Sequence, residues 1–504
     1  FRNANDLCME NGAIDTSVRP AENGIATCLY KGYPDLYMQF SKPAVWTNDG
    51  HWYKGIEYYK DRVRGIPYKE DLWVPGYFEI PIRKGESVIF SASTSECLPM
   101  DFQSTYDREL ATRTCRTSFY NCLKNSAKQF YLKNRNGLYI MAGYPWFNVR
   151  ARDELIALPG CTIAINHREE YERILDTFIK ALFRYIDEET TDRVIHEIDL
   201  PDIPLWAIWA IQQFRKVYGT TECRKIYGQT VKNLVESIRN GKIPNLRLED
   251  NGLLSTDGQE KPMTWLSASV GGRPLIPRTG FIVEFNALWY NALIFLISLL
   301  ETEDSERDYC ADLQKLAKKT KEAFISTFLN GFGYLYDYVN GTYKDLEVRP
   351  NMAIAIGLEH SPLDRRQSKK ILDLVTRELL TPKGLRSLSP KSYAYTPSYI
   401  GNPMEREYAV HQGPARPWLF GFYADAYFKV FGVTGLGFIE RMLIGYEDEM
   451  TEGCIGSLSE LYDGNPPFTG HGAVSTAKNV GEILRTIRNV KEINKLQNTE
   501  TESR

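Results

Sequence analysis

Metal, phosphate and serine-hydrolase chemistry have no foothold in this sequence. Its nine cysteines form no C-x-x-C pair, and its six histidines form no H-E-x-x-H and no Cys/His metal spacing. No glycine-rich phosphate loop and no G-x-S-x-G elbow occurs either. No metal and no organic cofactor is therefore expected. Charge of one sign is also lacking. Lys and Arg total 61 against 64 Asp and Glu, a net charge of −3, so neither nucleic acid nor an anionic membrane is an expected partner. The longest apolar run, residues 287–300, is too short to span a bilayer and is broken by Asn291. An odd number of scattered cysteines reads as buried, reduced thiols of a cytoplasmic protein. The first residue is Phe1, in polar text with no signal-type apolar segment, so the start reads as internal and the first domain as truncated.

The chain has 504 residues, enough for two or more domains. Aromatics make up 12 %, which fits either large cores or a sugar site, where flat C–H faces stack on rings. Residues 1–105 read as β: "DLYMQF", "HWYKGIEYYKDRV", "YFEIPI" and "ESVIFSAS" are short aromatic or β-branched runs. "TNDG" (47–50) reads as a turn and "RGIPYKEDLWVPG" (64–76) as an irregular connection. This spacing predicts an antiparallel β-sandwich. Residues 106–140 read as a linker with the first helices, 141–492 as a helical domain and 493–504 as a frayed tail. Within the helical domain, runs with one polar side alternate with runs apolar nearly all round. "REEYERILDTFIKALFRYI" (168–186) is of the first kind and "PLWAIWAIQQFRKVYG" (204–219) of the second. The alternation predicts layers of helical hairpins joined by long functional loops.

Five loops carry the polar and aromatic residues. "GYPWFNVRARDELIALPG" (143–160) holds Trp146, Arg152 and Asp153, and "IDLPDIPLWAIWA" holds Asp202. Either aspartate can cap the following helix or hold a ligand hydroxyl. "MTWLSASVGGRPLIPRTG" (263–280) is stiff, aromatic and rich in hydroxyls, yet has no Asp, Glu or His. It leads into "VEFNALWYNAL", where Glu284, Asn286 and Asn291 stand on an apolar helix and need partners. "REYAVHQGPARPWL" (406–419) holds His411 and Gln412, and the Gly-rich 453–474 holds Glu460 and Asp463. Carboxylates, amides and aromatics from several loops suit carbohydrate recognition. Glycoside hydrolysis would need two of the carboxyls, one as acid and one to activate water.

These words also resemble, in family order and over most of residues 140–485, the amylo-α-1,6-glucosidase region of glycogen debranching enzymes of bacterial and archaeal type. The match is carried by "RDELIALPG", "DIPLWAIWA", "GRPLIPRTG…VEFNALWYNAL", "LLTPKGLRSLSP", "HQGPARPWL" and "GSLSELYDGNPPFTGHGA". The resemblance implies an (α/α)6 barrel behind the β-sandwich, an α-glucan partner (glycogen, limit dextrin or maltooligosaccharide) and inverting hydrolysis of α-1,6-glucosyl stubs. By position it implies Glu460 as general base. It implies Arg152, Asp153 and Asp202 as groups gripping glucose, and Trp146, Trp265, Arg273, Glu284, Asn286, Trp289, Tyr290, Asn291, His411, Gln412 and Trp418 as residues around the sugar.

The departures from the family pattern are concentrated in the same loops. TWMD becomes "TWLS", which puts Ser267 at the general-acid position, and a hydroxyl cannot do that work near neutral pH. An acid and an aromatic of the first loop become Val149 and Arg150, a glutamine becomes Met352, and two tryptophans become Arg416 and Lys478. Two expectations follow. Either another carboxyl, such as Glu284, Asp257 or Glu260, supplies the proton, or the chain is a catalytically impaired relative that binds glycan or a partner enzyme.

Overall fold

The computed structural model describes residues 6–63 and 65–502, with side chains through residue 495. It separates into two compact units, residues 1–115 and 116–504. The first unit holds antiparallel strands and two helices, and the division falls after residue 115.

In the first unit, β1 (Val18–Ala21), β2 (Gly24–Thr27), β3 (Leu36–Phe40) and β6 (Phe90–Ser93) form one antiparallel sheet in the order β1-β2-β3-β6. The long strands β4 (Val45–Glu57) and β5 (Lys69–Glu79) pair with each other as a ribbon. Two loop expectations are corrected here. "TNDG" is not a turn but a bulge inside β4, where the register steps from Asn48↔Gly76 to His51↔Val74. The "KEDLWVPG" of residues 64–76 lies in β5, and Arg64 of that longer stretch lies outside the described residues. The ribbon holds because aromatics pair across it, Trp52 on Trp73 with ring centroids 5.7 Å apart. Helices α1 (Tyr59–Val63) and α2 (Phe102–Thr112) complete the unit.

The second unit is helical. Its helices are α3 (Phe119–Gln129), α4 (Ala151–Cys161), α5 (Arg168–Glu188), α6 (Ile203–Tyr218), α7 (Thr220–Arg239), α8 (Val283–Leu300) and α9 (Arg307–Phe328). These are followed by α10 (Asn351–Gly357), α11 (Arg365–Glu378), α12 (Pro403–Ala409), α13 (Trp418–Phe431), α14 (Leu436–Ile444) and α15 (Ala477–Glu502). α5, α7, α9 and α11 each bury one stripe, whereas α4 and α10 are buried at every position and α6 from Ile203 through Phe214. The buried helices touch in the order α4, α6, α8, α10, α13, α15, and α15 returns to α4 to close a ring. Its seam is made by two glycines. A Cβ on Gly160 of α4 would strike the carbonyl of Gly481 in α15, and one on Gly481 would meet Ala157 Cα at 3.0 Å. α8 is by length and composition apolar enough to cross a membrane, but 83 % of it is buried inside the unit. α15 runs through the expected tail to Glu502, and residues 503–504 lie outside the described residues.

Two five-stranded antiparallel sheets, made of short loop strands, sit at the ends of these helices. One (residues 247–248, 254–256, 280–282, 338–340 and 343–344) leads into α8. The other (380–381, 384–386, 415–416, 461–462 and 470–471) leads into α13, and Glu460 immediately precedes its strand 461–462. None of the nine cysteines is in a disulfide. Only Cys122, Cys161, Cys223 and Cys310 are buried, and Cys115 is exposed, so the expectation of uniformly buried thiols is corrected.

Candidate active site

Glu460 stands at the edge of the second loop sheet. Its N–H donates to the Ala473 carbonyl at 2.8 Å, and its Oε2 accepts the Ala473 N–H at 3.1 Å. Between them Gly472 adopts φ +69°, and a Cβ there would collide with the Glu460 carboxylate, so this turn needs glycine twice over. On the other side Arg416 Nη1 reaches Glu460 Oε1 at 3.3 Å. The Glu460 side chain keeps 15 % of its surface exposed. Asn479, in the first turn of α15, donates to the carbonyls of Ser459 (2.6 Å) and Glu460 (3.0 Å) and accepts the Trp418 N–H (3.1 Å). That one amide joins the Glu460 loop to the starts of α13 and α15.

Arg416 is itself buried. Its Nη2 donates to the Val410 carbonyl at 2.6 Å and lies 3.4 Å from His411 Nδ1. Burial, followed by the charges of Arg416, Lys478 and Arg349, pushes the His411 imidazole well below its ordinary pKa, so it is neutral near pH 7. The edge of the His411 ring meets Trp265 at 5.3 Å between centroids, and Trp265 meets Trp418 edge-on at 5.5 Å. Trp265 donates its indole N–H to Asn351 at 2.7 Å. A chain of contacts thus runs from the Trp265 loop through His411 and Arg416 to Glu460. Ser267 in that loop is exposed. Tyr399 lies near the same carboxylate: burial and then the Glu460 charge push its phenol pKa up.

Asp153 is buried three residues into α4 and takes Lys478 Nζ at 2.8 Å. Burial works to raise its pKa, but Lys478, Arg150 and Arg152 outweigh it and hold the carboxyl below the ordinary value. Lys478 and Asn479 are neighbours, so the groups around Asp153 and Glu460 meet at the first turn of α15. Arg152 and Asp202 are spent on each other in a buried two-point pair, 2.6 and 2.8 Å, and Trp206 Nε1 adds 2.9 Å to Asp202. Asp202 occupies the cap position of α6 without a side-chain cap bond, and the cap position of α4 is Arg150 rather than Asp153.

Other expected site residues are packed elsewhere or face solvent. Glu284 is 1 % exposed and paired with Arg278, which also holds Asp337 at 2.8 Å. Asn286 is saturated by Leu254 and the Ile282 carbonyl, and Asn291 pairs with Gln212 and the His360 N–H. These three polar groups on α8 therefore find partners inside the protein. Trp289 is buried on α8 and Tyr290 half-buried. Gln412 accepts Arg349 at 2.9 Å, Arg273 is exposed on a hairpin, and Trp146 is 37 % exposed in the loop before α4. Val149 and Met352 are buried, while Arg150 lies over the Phe147 ring at 4.5 Å. Asn479 and Tyr399 carry no sequence signal, because their partners lie 19 to 61 residues away. A groove of about 950 Å³ along Phe332, Tyr334, Tyr343 and Lys391 shares no residue with this cluster. The convergence of side chains, not volume, locates the site. Among the described residues no three His, Cys, Asp or Glu side chains gather as a metal site.

Residues 124–485 match the family described as amylo-alpha-1,6-glucosidase, and residues 1–89 match the one described as glycogen debranching enzyme N terminal. The glycogen debranching enzyme of Saccharomyces cerevisiae is 28 % identical over 217 residues, which cover 35 % of this chain and 14 % of the yeast protein. In fold, the chain is similar to the GH63 mannosylglycerate hydrolase of Thermus thermophilus (TM-score 0.51, 11 % identity, 74 % of this chain and 100 % of that one). An uncharacterized conserved protein of the same organism gives TM-score 0.51, 12 % identity and coverage of 72 % and 99 %.

Proposed function

The chain belongs to the amylo-α-1,6-glucosidase family of glycogen debranching enzymes, and from that premise we propose that it removes α-1,6-linked glucosyl stubs from an α-glucan with inversion at the anomeric carbon. On this reading the ring of buried helices with its amphipathic jacket is an (α/α)6 barrel, and the strands of the first unit are part of a β-sandwich. The site is the cluster at the starts of α13 and α15. The observation that carries the reading is the Glu460 carboxylate, partly exposed and fixed from two sides by Arg416 and the Ala473 N–H. A general base for water needs this fixed direction and an open lone pair. Trp265 would form a wall of the sugar pocket, and Asp153 would take a glucose hydroxyl once it yields Lys478.

A second reading, a glycan-binding relative without turnover, is favoured by Ser267 at the acid position and by the cations that occupy both Glu460 and Asp153. One experiment separates the two. A maltooligosaccharide with a single α-1,6-glucosyl branch is incubated with the protein, and the released sugar is followed by NMR. Early β-glucose, reduced about a hundredfold or more by Glu460→Gln, supports the hydrolase. Binding of the same sugar without release supports the second reading.

A further inference from the structure

The proton donor that the reaction needs is not at position 267, and the carboxyls nearest in sequence do not replace it. Asp257 is exposed and closes its own turn through the Gln259 N–H at 3.0 Å, and Glu260 is exposed. Glu284 is locked to Arg278, Asp202 to Arg152, and Asp153 to Lys478. Each of these three carries a cation that opposes its work as an acid.

Glu407 differs on every count. It is half-buried, and its Oε1 accepts the Ser269 N–H at 2.8 Å. Among the described residues no cation lies within ion-pair distance of it. Its backbone is held by α12, a short helix with Pro403 in its first turn and a reciprocal capping box. Asn402 accepts the Glu405 N–H at 3.0 Å, and Glu405 accepts the Asn402 N–H at 2.7 Å. Two contacts lace the segment after this cap to the Trp265 loop: Ser269 to Glu407, and Trp265 to His411 with ring centroids 5.3 Å apart. Ser267 lies midway between the two laced points. Residues 407–411 are thus the stretch laced opposite residues 265–269. Glu407 is the acidic residue of that stretch.

We propose that Glu407 is the proton donor of this site, working opposite Glu460; the assignment rests on the α-1,6-glucosidase reading above. Glu407 in its protonated form gives its proton to the glycosidic oxygen as the bond from that oxygen to C1 breaks. Water adds to C1 from the other face and loses a proton to Glu460. The products are β-glucose and a glucan with a free 6-hydroxyl. Solvent then returns the proton from Glu460 to Glu407.

The test uses two substrates and the full chain. The branched maltooligosaccharide needs its leaving oxygen protonated, whereas α-glucosyl fluoride has a leaving group that departs with little help. Glu407→Gln is expected to cut glucose release from the branched sugar about a hundredfold or more and to remove the alkaline limb of its pH profile. Fluoride hydrolysis is expected to stay within about threefold of the parent. Glu407→Gln combined with Ser267→Asp is expected to recover branched-sugar activity, which a structural role for Glu407 would not allow. Branched-sugar activity kept by Glu407→Gln, or an equal loss on both substrates, overturns the assignment and leaves the glucosidase reading standing. A parent that hydrolyses the fluoride alone has a base without a donor, and this also overturns it. A parent that hydrolyses neither overturns the glucosidase reading and the assignment together.

Discussion

Glu154, next to Asp153, gives the sharpest test of the electrostatics at this end of α4. It is fully buried, its Oε1 accepts the Ile140 N–H at 2.9 Å, and its Oε2 has no partner among the described residues. Burial drives its pKa from the ordinary 4.5 up to about 8, the Ile140 N–H holding it back and Asp192 adding to the rise. A raised native pKa means that the native state binds a proton the unfolded chain has released. The associated stability is present below pH 4.5 and is lost as pH rises through 8. At about 1.4 kcal/mol per pH unit, the loss is about 3 kcal/mol at pH 7 and about 5 kcal/mol at pH 9. Glu154→Gln keeps the Ile140 bond and cannot ionise, so the whole pH-dependent loss should vanish. Its amide leaves one buried donor unpaired, a constant cost of about 1–3 kcal/mol at every pH. The readout is therefore the slope, not the offset. Urea unfolding of the helical unit's transition, parent against variant, is followed from pH 5 to pH 9. The variant should gain about 4 kcal/mol on the parent across that range. Parallel stability curves would show that Glu154 is ionised in the native state and refute the reasoning.

Three further outcomes follow from the same structure. Asp345 is pushed up to about 6 by burial and by Asp337, so its stability contribution is lost as pH rises from about 4 to 6. Asp345→Asn should stabilise the protein at pH 7 by up to about 3 kcal/mol and not at pH 4, as read by denaturant midpoints. Gly472→Ala puts a methyl into the Glu460 carboxylate at positive φ. It should cost about 1–3 kcal/mol and lower glucose release at least about tenfold, whereas Gly271→Ala, on an open hairpin tip, should leave release unchanged. Lys478→Met strands the Asp153 carboxyl. At pH 7 it should cost about 1–3 kcal/mol, less than a fully buried pair because both side chains keep 12–17 % exposure. Since Lys478 is the largest of the charges holding Asp153 down, the difference should shrink as pH falls below 3.8.

Helices with one wet face are legible from residue order alone. α5, α7, α9 and α11 follow apolar spacing because solvent imposes a polar side. α4 and α10 are harder to read: both are short and buried all round, and α4 contains Pro159 and Gly160, residues that usually end a helix. Only the approach of Gly481 explains Gly160, and that contact spans more than 300 residues. β4 misleads for a related reason. Its "TNDG" has turn chemistry, yet pairing with β5 absorbs it as a bulge. In the loops, residue type signals that a polar group needs a partner but not which partner it finds. Glu284, Asn286 and Asn291 find theirs inside the protein. Glu407 was invisible as a candidate because its bond to Ser269 joins residues 138 apart.

The two cations at positions 416 and 478 account for the order of the Glu460 and Asp153 carboxylates. Glu460 and Asp153 are both largely buried, and an unpaired buried carboxylate is costly. Where the family resemblance puts a tryptophan beside each, sugar hydroxyls and water would satisfy the carboxylates. Here Arg416 and Lys478 do so from within the chain. The consequences differ for the two groups. Arg416 meets one Glu460 oxygen at 3.3 Å, a long contact that leaves the carboxylate partly exposed, so water can still approach it. Lys478 meets Asp153 at 2.8 Å with the carboxylate buried, so a glucose hydroxyl can reach Asp153 only by displacing an ammonium. On the proposed reading, these two cations weigh more on holding a sugar than on directing water. On the proposed reading the remaining gap is the proton donor, and Glu407, bonded to Ser269, meets no cation among the described residues.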